Sequence, residues 1–335
     1  MIRALRVLLL CAAASAAAAA GETGLKKASY LPQWSPQSQF AGFYVAYEKG
    51  LYRGAGLDAS ILRGGPEEPP GAYLESKKAD FATLWLCEAL KLRARGVKIV
   101  NLAQVSQYSA LVLVAKASSG IRVPSDLDGR KVGLWESFQV QPRAFFRKYR
   151  LRIREVPQSR SVNLFLRGGV DAASAMLYNE YHTILNSGLN PDELTVFRFD
   201  EHGLNFPEDG IYALEETYRK DPERACAFAR ASVDGWRRAL AEPEAALDAV
   251  IARTQAAGIP ADRVHQRWML EKMRELVTDR ETGVMTGMLK PSDYARVSRI
   301  LVESGQIGAA PAYEDFAVPC LAPRERGAGS GPGER

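Results

Sequence analysis

At four places in the chain an aromatic ring stands beside an amide, hydroxyl or carboxylate directly after a short apolar run. Trp34, with Gln33 and Gln37, follows residues 27–31, and Trp85 follows residues 79–84. Trp135, with Ser137, Phe138 and Gln139, follows the run over 131–135. Tyr178, Asn179 and Glu180 follow residues 172–177. Aromatic faces stack on planar ligands, while Gln, Asn and Glu read ring nitrogens and exocyclic groups through hydrogen bonds. Any one of these rings is better explained as packing. Four run ends with the same chemistry bring a ligand pocket level with that explanation. Gly64-Gly65-Pro66 adds a sharp turn whose amides can hold an anion or a polar ligand edge, although such a run is also simply a turn.

Signatures of catalysis do not accompany these residues. His182, His202 and His265 stand at no metal-ligand spacing and are expected to be solvent-exposed or helix-capping. There is no G-x-S-x-G elbow and no P-loop lysine. Beyond the N-terminal apolar run lie Cys87, Cys226 and Cys320, far apart and odd in number. They allow one disulfide at most; isolated thiols are the favoured reading, with pairing of Cys226 and Cys320 left open. The net charge of +5 is spread through mixed acidic and basic residues, which excludes a nucleic-acid stripe.

The elements that must position these residues follow from hydropathy patterning. Arg3 and Arg6, the uncharged run 7–20 and Ala18-Ala19-Ala20 have the layout of a signal peptide cleaved near Ala20, giving 1–20 as the leader. That run is shorter than the roughly 20 residues of a membrane span, and bulky Leu10 before Cys11 argues against a lipid anchor. Residues 322–335 are rich in Gly, Pro and Arg and are expected to be disordered. Between the ends, short apolar runs alternate with amphipathic ones, the α/β pattern. Strands are expected over 27–31, 57–62, 79–84, 99–105, 110–115, 131–135, 172–177, 195–199 and 210–214, with helices from 221 onward. The middle third reads as a βα unit inserted between an N-terminal βα unit and a helical end. The aromatic clusters then fall at the carboxyl ends of strands, where open α/β sheets form ligand crevices.

Residues 33–52, QWSPQSQFAGFYVAYEKGLY, resemble the opening of periplasmic substrate-binding proteins of ABC importers. The likeness is to the thiamine-pyrimidine-precursor branch, related to the fungal thiamine-pyrimidine synthase and to sulfonate, nitrate and riboflavin binders. Further matches are Gly56-Leu57-Asp58 with Gly64-Gly65-Pro66, residues 78–82 (KADFA), residues 126–133 (DLDGRKVG) and Leu177-Tyr178-Asn179-Glu180. The resemblance implies a type II periplasmic binding protein fold, two α/β lobes joined by two crossover strands and closing by hinge motion. Lobe one would comprise 25–112 and 214–320, lobe two 113–213, with hinges near 112–116 and 210–214. It also implies a small-molecule ligand between the lobes, a pyrimidine precursor or a flavin-like ring, with Trp34 and Glu180 in contact with it. The expected partner of this monomeric, periplasmic, non-enzymatic protein is a membrane ABC permease, or a membrane sensor, with no nucleic acid and no cofactor. The synthase members use a cysteine-rich motif, a lysine carrying pyridoxal phosphate and a histidine consumed as reagent. No cysteine cluster occurs here and residues 1–181 contain no histidine, so that chemistry lacks its reagent.

Overall fold

In the computed structural model, residues 24–321 are described; the leader and tail expectations fall outside them. Ten strands run in chain order: β1 (Lys26–Leu31), β2 (Leu57–Ile61), β3 (Phe81–Trp85), β4 (Ile99–Gln104), β5 (Leu111–Lys116), β6 (Lys131–Leu134), β7 (Arg154–Pro157), β8 (Ala172–Met176), β9 (Leu194–Arg198) and β10 (Asp209–Leu214). They form two five-stranded sheets, β2-β1-β3-β10-β4 and β7-β6-β8-β5-β9. Each sheet has one antiparallel member second from an edge, β10 in the first and β5 in the second. This is the mixed α/β, two-lobed architecture expected from the sequence.

The crossings differ from the expected hinges. β5 is laddered to β8 and β9 along its length, and β10 is laddered to β3 and β4. A strand hydrogen-bonded on both sides is committed to its sheet, so the chain passes between lobes through 105–110 and 199–208. Residues 209–213, expected in lobe two, belong to the first sheet. At the crossings Glu208 is buried, and its Oε1 accepts from Ser109 Oγ (3.1 Å), Ala110 N (2.6 Å) and Leu111 N (3.1 Å). One carboxylate thereby joins the two crossing segments.

Central strands β3 and β8 are buried along their whole length, as continuous apolar runs between helical layers require, and so is β4 at the edge of the first sheet, which the returning C-terminal segment covers. Edge strand β7, Arg-Glu-Val-Pro, has an exposed and charged pattern and was not expected as a strand. In lobe one the helices over Ala41–Glu48 and Pro222–Ala241 cross closely at Gly42 and Gly235, where any side chain would overlap the neighbouring helix. Phe228 stacks on Phe81 (4.3 Å) and Tyr52 (5.0 Å) beneath the first sheet.

The isolated-thiol reading fails for two cysteines. Cys226 and Cys320 form a disulfide across 94 residues of sequence. The helical end returns over the first sheet, bridged to β4 at Asn101 and Ala317, and that return brings the two thiols together. Cys87 is free and buried. Among the described residues no helix is long and apolar enough to cross a membrane.

Candidate ligand-binding cleft

The loop after β1 is tied down on three sides. Gln33 N donates to Thr83 Oγ1 (2.9 Å), and Ser38 N donates to Gln266 Oε1 (2.7 Å) on the helix Arg263–Val277. Beneath it Gly64 sits at φ +67°, and a Cβ there would lie 2.5 Å from the Trp34 carbonyl oxygen and 2.6 Å from that of Pro32. Only glycine combines that backbone region with so close an approach. Trp34 is thus presented by a constrained loop.

Between the lobes lies a cleft of about 760 Å³, within the range of small-molecule sites. The structure brings Gln33, Trp34, Gln37, Trp85, Trp135, Phe138, Tyr178, Asn179 and Glu180 to its walls. It does not bring Gly64, Gly65 or Gln139 there. The glycines are buried under the Trp34 loop, and Gln139 precedes the helix Val140–Lys148, its carbonyl accepting from Arg143 N. Their part is therefore in support and not in the wall. Three contacts span the lobes across the cleft. Trp85 and Phe138 lie 4.2 Å apart between ring centroids, the Arg160 guanidinium sits 5.3 Å over Trp34, and Arg160 pairs with Glu67 at 4.0 Å. Trp135 meets Phe138 edge-on and donates Nε1–H to the Ser159 carbonyl (2.9 Å). The Trp85 Nε1–H is buried without a partner.

The polar groups are mostly committed to one another. Gln33 and Gln39 donate to the two oxygens of Asp209, and Gln37 Nε2 donates to Gln39 Oε1 (2.6 Å). Asp209 is buried, which pushes its carboxyl up to about 7, while the two amides favour its charged form. Gln158 exchanges two hydrogen bonds with the Ser174 backbone. Glu180, first residue of the helix Glu180–Asn186, accepts from Met176 N (3.0 Å) and Asn179 Nδ2 (2.9 Å). Burial raises its pKa above the usual carboxylate value.

Two histidines expected to be exposed or capping instead meet across the lobes. His182 is buried, stacks on Trp268 (4.7 Å) and shares a 2.8 Å hydrogen bond with His265, Nδ1 to Nδ1. His265 Nε2 lies 2.9 Å from Asn179 Oδ1, and Trp268 Nε1–H donates to the Leu177 carbonyl (3.0 Å). The amide direction of Asn179 follows from Glu180, because a carboxylate only accepts. Asn179 Oδ1 then faces His265, which must carry its proton on Nε2, leaving Nδ1 to accept from His182. This clasp joins lobe one to the loop carrying Tyr178 and Glu180. Desolvation lowers the pKa of both imidazoles.

Residues missed from the sequence lie on strand ends that were not anticipated. Gln158, Ser159, Arg160 and Ser161 line the cleft after β7, whose charged pattern hides it. Gln39 lay within the opening motif without a role, and buried Asp209 begins an antiparallel strand, where an acidic residue carries no local signal. Among the described residues no cluster of His, Cys, Asp or Glu is placed to hold a metal ion.

The family model described as NMT1/THI5 like matches residues 37–246, over half of the chain. The chain belongs to the NMT1/THI5-like family. Among curated relatives it is 23% identical over 312 residues to the riboflavin-binding protein RibY of Chloroflexus aurantiacus, covering 88% of this chain and 87% of that protein. It is 20% identical to the formylaminopyrimidine-binding protein of Halalkalibacterium halodurans (78% and 80% covered). It is 22% identical to a 4-amino-5-hydroxymethyl-2-methylpyrimidine phosphate synthase of Aspergillus parasiticus (71% and 73%). The crystal structure of the periplasmic aliphatic sulphonate binding protein SsuA from Escherichia coli superposes with a TM-score of 0.65 at 16% identity, over 85% of this chain and 94% of that one. At that identity the likeness is one of fold. The curated relatives thus include binding proteins named for riboflavin and for formylaminopyrimidine, and one protein named as a synthase.

Proposed function

We propose that this chain is an exported solute-binding protein that closes its lobes on a small aromatic heterocycle and delivers it to an ABC importer. The observation carrying this reading is the interlobe cleft walled by Trp34, Trp85, Trp135, Phe138 and Tyr178. Stacked rings supply affinity for a flat ligand and the few amides supply orientation. Among the described residues the lining contains no histidine, lysine or cysteine, which supports capture and release over the synthase chemistry of the Aspergillus relative. A pyrimidine or flavin-like ring fits this wall better than an aliphatic sulfonate. The periplasm is the proposed location, and 105–110 with 199–208 are the proposed hinges.

The test is native mass spectrometry of ligand retained through mild purification, followed by a thermal-shift panel of pyrimidines, flavins, sulfonates and aromatic acids. A bound ring raises the melting temperature without turnover, and Trp34→Ala weakens it at least about tenfold through lost stacking. A shift produced by aliphatic sulfonates alone, or consumption of the ligand, overturns the proposal.

A further inference from the structure

We infer that Arg280 braces the hinge from outside the cleft: its guanidinium grips both crossing segments at once and favours the lobe contact seen here. The inference rests on the proposed reading only in taking 105–110 and 199–208 as the hinges.

The brace is built from lobe one. After the helix Arg263–Val277 the chain turns at Asp279, whose Oδ1 accepts from Glu281 N and Thr282 N (both 3.1 Å) and whose Oδ2 accepts from Lys290 Nζ (2.8 Å). That turn carries Arg280. Its guanidinium lies 3.9 Å over the ring of Tyr108 in the first crossing, and its backbone N–H donates to Tyr108 Oη (3.3 Å). The guanidinium also donates to Asp200 Oδ2, in the turn Phe199–His202 through which the chain leaves β9. Tyr108 is fastened to lobe one, because Gln107 N (2.7 Å) and Tyr108 N (3.3 Å) both donate to the Leu276 carbonyl. Asp200 instead adjoins the end of a lobe-two strand. The ion pair therefore crosses the lobe boundary, and none of the three residues lines the cleft.

Burial of Asp200 gives the pair its strength. The carboxylate side chain is 3% exposed, and Arg280 supplies its one hydrogen bond from a described residue. Arg198 Nε stands 3.5 Å from Asp200 Oδ1, yet both atoms are buried without a hydrogen bond. A buried carboxylate that loses its donor is stranded, at a cost well above that of breaking a surface pair. Rotating β9 away from the segment 278–290 would strand it, so the contact favours the arrangement in which Arg280 and Asp200 meet. A ligand that needs this arrangement binds more tightly in proportion to its population. Arg280 and Asp200 are thus positioning residues, which set affinity without touching the ligand.

The test uses Asp200→Asn, which keeps the shape and removes the charge, and the double variant Arg280→Met with Asp200→Met, which strands neither partner. Small-angle scattering of the ligand-free protein reads lobe separation, and calorimetric titration with riboflavin and with 4-amino-2-methylpyrimidine reads affinity. Both variants are expected to enlarge the ligand-free radius of gyration, at a melting temperature showing an intact fold. Each probe that the parent protein binds should be weakened about fivefold. Arg280→Lys, which keeps the ion pair, should bind within about twofold of the parent. Unchanged radius and affinity in both variants overturn the inference and leave the aromatic cleft standing. So does a loss of affinity that follows a loss of stability with no change in lobe separation. If neither probe binds the parent, the aromatic-cleft reading falls, and the ligand-free scattering alone decides the brace.

Discussion

Acidification should unlatch the lobes through His182 and His265. With the lobes in contact as here, His265 Nδ1 accepts from His182 and Nε2–H donates to Asn179, so one proton between the facing Nδ1 atoms is the most the pair accommodates. Adding another sets donor against donor and charge against charge. The neighbours do not compensate. Asp262 is the acidic group favouring protonation of either ring, and its effect is outweighed by desolvation in both. Trp268 and Asn186 are uncharged. With both pKa values lowered in the closed form, and near 6.5 when the rings are solvated, the open form binds more protons below pH 6.5. Closure is therefore fully favoured above that value and is lost as pH falls through it. The limit is about tenfold per histidine one pH unit below 6.5. Solvent screening at the rim reduces this, and about fivefold weaker ligand binding at pH 5.5 than at 7.5 is the expected outcome. Calorimetric titration of the retained ligand across that range, with small-angle scattering for the lobe separation, measures it. His265→Gln should flatten the profile between pH 7.5 and 5.5. Unchanged affinity across the range in the parent protein, or the same slope in His265→Gln, refutes the clasp.

Three further outcomes follow from other parts of the fold. Glu208 is buried and its pKa is pushed up to about 8 by desolvation and by adjacent Asp209. Its folded form keeps a proton that the unfolded chain releases near 4.5, so stability falls as pH rises from about 4.5 to 8, by up to about 1.4 kcal/mol per unit. Glu208→Gln keeps an acceptor for Ser109, Ala110 and Leu111, and should reduce that slope in urea melts at pH 5, 6.5 and 8. Replacing Cys226 and Cys320 by serine releases a 94-residue loop and should lower unfolding free energy by about 2–4 kcal/mol, read from the denaturant midpoint. Gly64→Ala must leave φ +67° and push against the Trp34 and Pro32 carbonyls. It should cost at least about 1 kcal/mol of stability and weaken ligand binding with it.

The sequence by itself determined the layers, its family resemblance the two-lobed class, and its aromatic run ends part of the cleft wall. Short apolar runs such as 81–85 and 172–176, bounded by turn residues, read as buried strands, and the loop after a parallel strand opens at the sheet's carboxyl edge. Trp34, Trp85, Trp135 and Tyr178 were therefore legible as neighbours before any coordinate was known. Tertiary structure decided whatever depends on one lobe meeting the other or on a charge whose partners are remote in sequence. β7 is an edge strand with no apolar alternation, so Arg160 and its neighbours gave no local sign. The clasp joins His182 to His265 and Asn179 to His265 over more than 80 residues, and the disulfide closes 94. Asp209 reads as an ordinary polar residue until Gln33 and Gln39 are seen to spend their donors on it. Hydropathy records which face of an element is buried. It does not record which polar groups will be buried together, because that is set by the packing of distant elements and by the need to pair every donor they hide.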